Sequence, residues 1–405
     1  MVLSLEKYTM LDLSRTFPGP TCSHILADLG MNVIKVEEPD PRYGVGRDTF
    51  MPPDPTPEDE VRLAAHNALA RNKKSIALQL LDPNLRPECQ EVFYRLAEKA
   101  DVVLDGYRPG AVEWMGVDYE SVRKHNPRII YCSLSGFGHD GPYMKYPAHD
   151  PNFVALASAV RRDVDGRPVP NVTSLGDING GMYGALSILA ALVNRENTGE
   201  GQYIDVSVSA AAMALMIRPA VWHTRGAPPQ PPAPAQGGPP NVSSLKCKDG
   251  KWLSTGNSEN IFWRNFCNVL GHPEWIPLRG ASAAERDQMV RDCQDLFLTK
   301  NRDEWLDILH EAETCAMPIN DIGEALEDPQ MRHIGMAWDM PHPKFGTITQ
   351  LGFPVRFNGE PVKPGAFAPV LGEHTVDVLR SFGFSHSEID DLENRKIVKL
   401  WKSVS

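Results

Sequence analysis

No C-x-x-C pair occurs in the sequence, and its seven cysteines (Cys22, Cys89, Cys132, Cys247, Cys267, Cys293 and Cys315) are scattered. That spacing argues against a zinc knuckle and a disulfide framework, and for a reducing compartment. Long apolar runs are also missing. The longest, around Ala185 to Val193, is far short of the roughly 20 residues that span a bilayer and reads as a buried helix. The N-terminus shows no basic stretch followed by an apolar run and a small-residue cleavage site, so a cytoplasmic location without membrane attachment is expected. Positive charge is in deficit: 41 Lys and Arg stand against 52 Asp and Glu, a formal charge of −11. That balance disfavours nucleic acid as a partner. Walker A, H-E-x-x-H and G-x-S-x-G motifs are absent, which removes the marks of nucleoside-triphosphate, zinc-protease and α/β-hydrolase chemistry. No metal is expected.

What remains is a soluble globular composition, 42% hydrophobic, 23% charged and 8% aromatic over 405 residues. That length suits two domains. The first third alternates strand and helix patterns: a strand over Tyr8 to Leu13, a helix over Thr21 to Leu29 closed by Gly30, and a strand over Val33 to Val36. A second unit has a helix over Val92 to Lys99, a strand over Val102 to Leu104 and a later strand over Ile129 to Ser133. Such repeats predict a parallel sheet covered by helices. The small-residue stretch Gly180 to Asn194 predicts a closely packing helix, and Tyr203 to Ser209 a strand. Pro and Gly crowd residues 226–240, which reads as a linker or exposed loop. Beyond it come a hairpin over Leu245 to Leu253, turning at Lys248-Asp249-Gly250, and helices over Ile261 to Leu270 and Arg302 to Ala312. A Pro-rich stretch, Pro341 to Pro369, precedes a helical pair over Glu373 to Phe382 and His386 to Leu392. The predicted fold is α/β. A Rossmann-like large domain takes residues 1–225, a smaller α+β domain takes 226–330, and segment 331–405 returns to the large domain.

Several side chains carry possible chemistry. Asp177 lies between an extended segment and the small-residue helix, in Gly-Asp-Ile-Asn-Gly-Gly. Its simplest role is an N-cap; the glycines around it would also let a bulky ligand reach a carboxylate fixed at a helix start. His149, before Asp150, has the intrinsic acidity of a general base at neutral pH, or is a loop histidine bonded to backbone. Asp150 reads as a turn or cap residue. The run Arg71-Asn72-Lys73-Lys74-Ser75 suits phosphate through charge-assisted bonds, unless it is a solvated face. Gly106-Tyr107-Arg108 and Ser135-Gly136-Phe137-Gly138 each follow a strand, where open α/β sheets bind ligands. Glu259 is a third candidate carboxylate or an exposed loop residue.

These segments together resemble the CaiB/BaiF family, which holds the formyl-CoA transferase-like class III CoA-transferases and the α-methylacyl-CoA racemases. The matching stretches are Leu11 to Glu37, Arg71 to Leu80, Ala100 to Gly116, Asn126 to Pro142, Ser174 to Ser207 and Leu371 to Val398. The resemblance implies interlocked subunits, as a homodimer or with a related chain. It implies coenzyme A as substrate rather than tightly held cofactor, with acyl-CoA and a carboxylic acid as partners. It places coenzyme A against Phe17, Pro18, Asn72, Lys73, Lys74, Ser75, Gly106 to Arg108 and Ser135 to Gly138. Asp177 matches the transferase nucleophile, with His149 as auxiliary. Glu38 and Trp114 depart from the family pattern, each standing where a basic residue is frequent. A racemase reading uses His149 and Asp177 with Glu259 as acid and base, and a noncatalytic coenzyme A-binding subunit is a third. Gly237 and Gly238 are candidate oxyanion donors. The segments around Lys246 to Gly250 and Phe262 to Gly271 look more like transferases.

Overall fold

The computed structural model describes residues 4–39, 56–163, 165–226 and 242–401. In chain order, β1 (Thr9–Asp12), α1 (Pro18–Asp28) and β2 (Asn32–Glu37) are followed by β3 (Lys74–Leu78), α2 (Arg86–Ala97), β4 (Val102–Asp105) and β5 (Ile130–Ser135). Then come α3 (Asp150–Leu156), the long α4 (Leu175–Thr198), β6 (Gln202–Ser207) and α5 (Val208–Ala214). A second group holds β7 (Val242–Lys246), β8 (Trp252–Gly256), α6 (Asn260–Val269), α7 (Ala283–Phe297), α8 (Arg302–Glu311) and β9 (Ala316–Ile319). The chain closes with β10 (Ala337–His342), β11 (Gly346–Leu351), α9 (Thr375–Ser381), α10 (His386–Asn394) and β12 (Val398–Lys399).

Two units divide the chain. One comprises Met1–Val160, Asn171–Ala227 and Pro329–Ser405; the other comprises Arg161–Pro170 and Pro228–Asp328. In the first, seven strands form a sheet in the order β12-β3-β2-β1-β4-β5-β6. All neighbours are parallel except the edge strand β12. The fold is α/β, with the strand order reversing between β1 and β4. In open sheets of this kind that reversal leaves a crevice outside the carboxyl ends of the two strands.

Strand alternation sorts the core into two layers. Leu11, Ile34, Ile76, Val103 and Tyr131 face one way, onto Val92, Phe93, Val378, Leu379 and Ile389 of α2, α9 and α10. Met10, Val33, Val102, Ile130 and Cys132 face the other way, onto Cys22 and Leu26 of α1 and Ala185, Ile188 and Leu192 of α4. Full burial of each large aliphatic side chain contributes about 1.5–3 kcal/mol. α1 begins at Pro18, three residues before the expected start, because proline's fixed φ suits the first helical position. α4 lies so close to α1 that a Cβ on Gly181 would sit 2.7 Å from the Pro18 carbonyl oxygen and from Thr21 Cβ.

In the second unit β8 pairs antiparallel with β7 and β9. The turn between β7 and β8 falls at the Asp249-Gly250 signal, with Gly250 at φ +80°. Its core stacks Trp263, Phe266, Phe297 and Trp305. The Pro-rich stretch after Pro341 contains the second strand of a hairpin, β10–β11. Pro341 is tolerated because both strands of a two-stranded ribbon are edges. No helix among the described residues is long and apolar enough to cross a membrane.

Candidate functional site

The loops leaving β1, β4 and β5 converge. Gly106, after β4, packs against the β1 loop, where a Cβ would come within 3.2 Å of Ser14 Cβ. Across the same gap the Arg15 guanidinium lies 4.7 Å from the Tyr107 ring centre. Burial pushes the Tyr107 phenol up to about 12. Phe17, 37% exposed, caps the start of α1, and Pro18 follows as its first residue. Beneath these loops Asp12 is wholly buried. It accepts hydrogen bonds from Ser14 N (2.8 Å), Ser14 Oγ (2.5 Å) and Ser23 Oγ (2.6 Å) and pairs with Lys35 at 3.5 Å. Although burial works against its charge, the ammonium groups of Lys35 and Lys73 hold its pKa below the ordinary carboxylate value.

The loop after β5 is tied to α3. Ser135 Oγ accepts Gly138 N at 3.0 Å, and Ser209 N donates to Gly136 O. The Phe153 ring of α3 lies so near Gly136 that a Cβ there would meet it at 2.7 Å. Gly136, Gly138 and Gly141 have G-x-G-x-x-G spacing, but they lead into turns rather than into a helix, so the dinucleotide-binding context is missing.

α3 in turn holds the start of α4. Asp150 is the first residue of α3 and 7% exposed; its Oδ1 accepts Gly176 N at 2.8 Å and Asp177 N at 3.1 Å. These are first-turn amides of α4, which have no partner inside the helix. Gly176 is required for this approach, since a Cβ there would stand 3.0 Å from Asp150 Oδ1. Asp177 is therefore not the N-cap. Ser174 holds the cap position, the carboxylate of Asp150 satisfies the amides from another helix, and Asp177 is the third residue of the helix. The Asp177 carboxylate has no hydrogen-bond partner among the described residues. Burial and the charge of Asp150 push it up to about 7. A carboxyl poised there changes protonation near neutrality, which suits a nucleophile or a proton carrier.

His149 is exposed and caps α3 through its backbone: its N–H donates to Asn152 Oδ1 at 3.0 Å. It precedes Asp150, whose carboxylate holds the Asp177 amide. Glu259 is the exposed N-cap of α6 and belongs to the second unit. Gly237 and Gly238 lie outside the described residues.

The cationic run requires correction. It enters β3, and four of its five members are spent inside the fold. Arg71 makes a two-pronged bond to Asp28 (3.1 and 2.5 Å). Asn72 bonds Asp28, Gly365 N and Ala366 N. Lys73 donates to Ser23 Oγ at 2.6 Å and lies 3.6 Å from Asp12, where burial depresses it to about 8. The buried Ser75 hydroxyl donates to Glu37 and accepts Gly372 N. Only Lys74 is exposed. The carboxyl end of β3 is instead Gln79 to Leu81, where Leu81 N donates to Glu38 Oε2 at 3.0 Å. Glu38 thus secures that end of the sheet, and Trp114 stacks under Arg86 at 3.6 Å. Among the described residues no His, Cys, Asp and Glu cluster is arranged to hold a metal ion.

A family model described as CoA-transferase family III matches residues 5–375. Human alpha-methylacyl-CoA racemase is 28% identical over 98% of this chain and 98% of its own length. Formyl-CoA:oxalate CoA-transferase of Shigella sonnei is 30% identical over 96% and 98% respectively. A CAIB/BAIF family protein from Brucella suis, of known crystal structure, is 27% identical and superposes with a TM-score of 0.80 over 94% of this chain and all of its own.

Proposed function

The chain belongs to CoA-transferase family III, and we propose that it moves coenzyme A from an acyl-CoA donor to a carboxylic acid through covalent intermediates on Asp177. The observation that carries this reading is the unpartnered Asp177 carboxylate in the first turn of α4, with its neighbouring amides already taken by Asp150. A carboxylate raised towards neutrality is a stronger nucleophile than an ordinary one once deprotonated. It attacks the thioester carbonyl, forming an aspartyl–acyl anhydride and expelling the coenzyme A thiolate. The thiolate attacks the aspartyl carbonyl of that anhydride, giving an aspartyl thioester and releasing the donor acid as carboxylate. The acceptor carboxylate then runs the two steps in reverse.

Coenzyme A would lie along the crevice at β1 and β4, against Phe17, Pro18 and Gly106 to Arg108, reaching Ser135 to Gly138. Of the cationic run, Lys74 offers the free charge. Exposed apolar side chains on α4, among them Met182, Leu186 and Val193, support pairing of two copies, which light scattering of the purified protein would reveal as a dimer mass.

A racemase reading is favoured by one observation, the exposed His149 adjoining the carboxyl pair. The human racemase relative agrees with it. There one group removes the α-proton of an acyl thioester and another returns it on the opposite face. Incubation with a panel of acyl-CoA thioesters, then borohydride and peptide mass analysis, separates the two. Reduction of Asp177 supports the transferase. An unmodified Asp177, with solvent deuterium entering the α-carbon of a branched acyl-CoA, supports the racemase and rejects the transferase.

A further inference from the structure

The strands β4, β5 and β6 run parallel, and their register sets Asp105, Ser133 and Asp205 abreast. Residues in register on neighbouring strands point to the same face about 4.8 Å apart, so the Ser133 hydroxyl lies beside the Asp105 carboxylate. Both side chains are fully buried. Each is also tied to the loop that leaves its strand. Asp105 Oδ1 accepts Tyr107 N at 3.0 Å, and Ser133 Oγ stands 2.6 Å from His139 Nε2. His139 follows directly on Gly138, and its backbone N–H donates to Asp205 Oδ2 at 2.9 Å. One atom is left over. Asp105 Oδ2 is buried and has no partner of bonding geometry among the described residues, a costly state for a carboxylate oxygen shut off from water. The hydroxyl beside it is that of Ser133. Burial pushes Asp105 up to about 6, and donation from Tyr107 N–H and from Ser133 counteracts that rise.

Ser133 has one proton to give and three neighbours able to take it: His139 Nε2, the Tyr203 phenol and the Asp105 carboxylate. Tyr203 brings an O–H of its own, and a neutral imidazole can carry its proton on Nε2, but an ionised carboxylate has none. Sent to His139, the hydroxyl proton leaves Asp105 Oδ2 without a donor; sent to Asp105, it leaves every group satisfied. We propose that His139 is a positioning residue for coenzyme A: as the Nε2–H tautomer it donates to Ser133 Oγ, turns the hydroxyl proton to Asp105 Oδ2, and so locks the loop after β4 to the loop after β5. This rests on the functional reading above for one point, that coenzyme A lies against Gly106 to Arg108 and Ser135 to Gly138. It is the same for a transferase and a racemase.

Proton–nitrogen correlation NMR of the full-length protein, isotopically labelled in its histidine rings, reads the tautomer at about pH 8, where imidazole in general is neutral. The His139 signals are those missing from His139→Gln. A proton on Nε2 is expected, and a proton on Nδ1 overturns the proposal. Calorimetric titration with coenzyme A then tests the positioning. His139→Ala removes the donor and should weaken binding about five- to tenfold, whereas His139→Gln, whose amide N–H reaches as far as Nε2, should stay within about threefold of wild type. Should His139→Ala fail to fold, Ser133→Ala takes its place with the same expected weakening. Equal weakening by His139→Ala and His139→Gln overturns the proposal, since general loosening of the loop would not distinguish them. Binding as tight as wild type in the alanine variant overturns it too. A wild type that binds no coenzyme A rejects the functional reading and the positioning with it, while a wild type that binds and an alanine variant that binds equally reject the positioning alone.

Discussion

Replacing Asp150 separates its two duties. Its carboxylate accepts two first-turn amides of α4 and adds a negative charge beside Asp177. Asp150→Asn keeps an oxygen for the amides but removes the charge; Asp150→Ala removes both. Loss of a cap costs about 1 kcal/mol, and hydrogen bonds to a charged group about 1.5–3 kcal/mol each. With partial replacement by water, Asp150→Ala should lower unfolding stability by about 2–4 kcal/mol and Asp150→Asn by about 1 kcal/mol. The titration of Asp177 responds differently. In the wild type, the initial rate of adduct formation on Asp177 should rise with pH through about 7, since only the carboxylate attacks. Asp150→Asn should move that midpoint down by about one pH unit, the scale of one like charge at a partly exposed site. Burial is the larger cause and remains, so the midpoint should stay above 3.8, the value of an ordinary aspartate. Urea unfolding and a pH series of mass-resolved adduct rates measure both effects. A midpoint that stays at about 7, or rises, in a folded Asp150→Asn protein would refute the coupling.

Arg71→Leu leaves Asp28 buried without its two-pronged partner and should destabilise by about 3–5 kcal/mol, while adding Asp28→Leu should recover most of the loss in urea melts. His24 has a buried Nδ1 without a partner, and burial, the largest cause, lowers it from 6.5 to about 4. The unfolded chain therefore binds the extra proton first, and His24 should lower stability by roughly 3 kcal/mol as pH falls from 6.5 to 4. His24→Asn should show a shallower acid dependence than wild type in that window. Gly181→Ala forces a Cβ to 2.7 Å from the Pro18 carbonyl oxygen; about 1–3 kcal/mol of destabilisation should follow, read from thermal unfolding.

Local physics made much of this legible. Short, nearly continuous apolar runs marked β1, β2, β4 and β5 because each strand buries both faces, and Asp249-Gly250 marked the β7–β8 turn because its geometry needs positive φ at one residue. Long-range choices were not legible. Asp177 read as a cap because caps are local, whereas the group that binds those amides, Asp150, comes 26 and 27 positions before them. Adjacency suggested that Arg71 to Ser75 act as one cationic surface. Strand entry turns those side chains in different directions, and buried acceptors on α1 and β1 capture two of the three charges.

The interrupted first unit also dictates an order of events during synthesis. Ser75, in β3, uses its N–H on His374 Nδ1, 299 positions later, and β12 pairs with β3 from near the chain's end. Until α9, α10 and β12 have left the ribosome, Ile76 and Leu78 lack Val378, Leu379 and Val398 to cover them. The second unit, whose strands and helices are drawn almost wholly from one stretch, can complete its core first. A released chain ending just after residue 330 should therefore hold a folded second unit and an uncovered, aggregation-prone sheet, which makes the last seventy or so residues a natural point of dependence on chaperones.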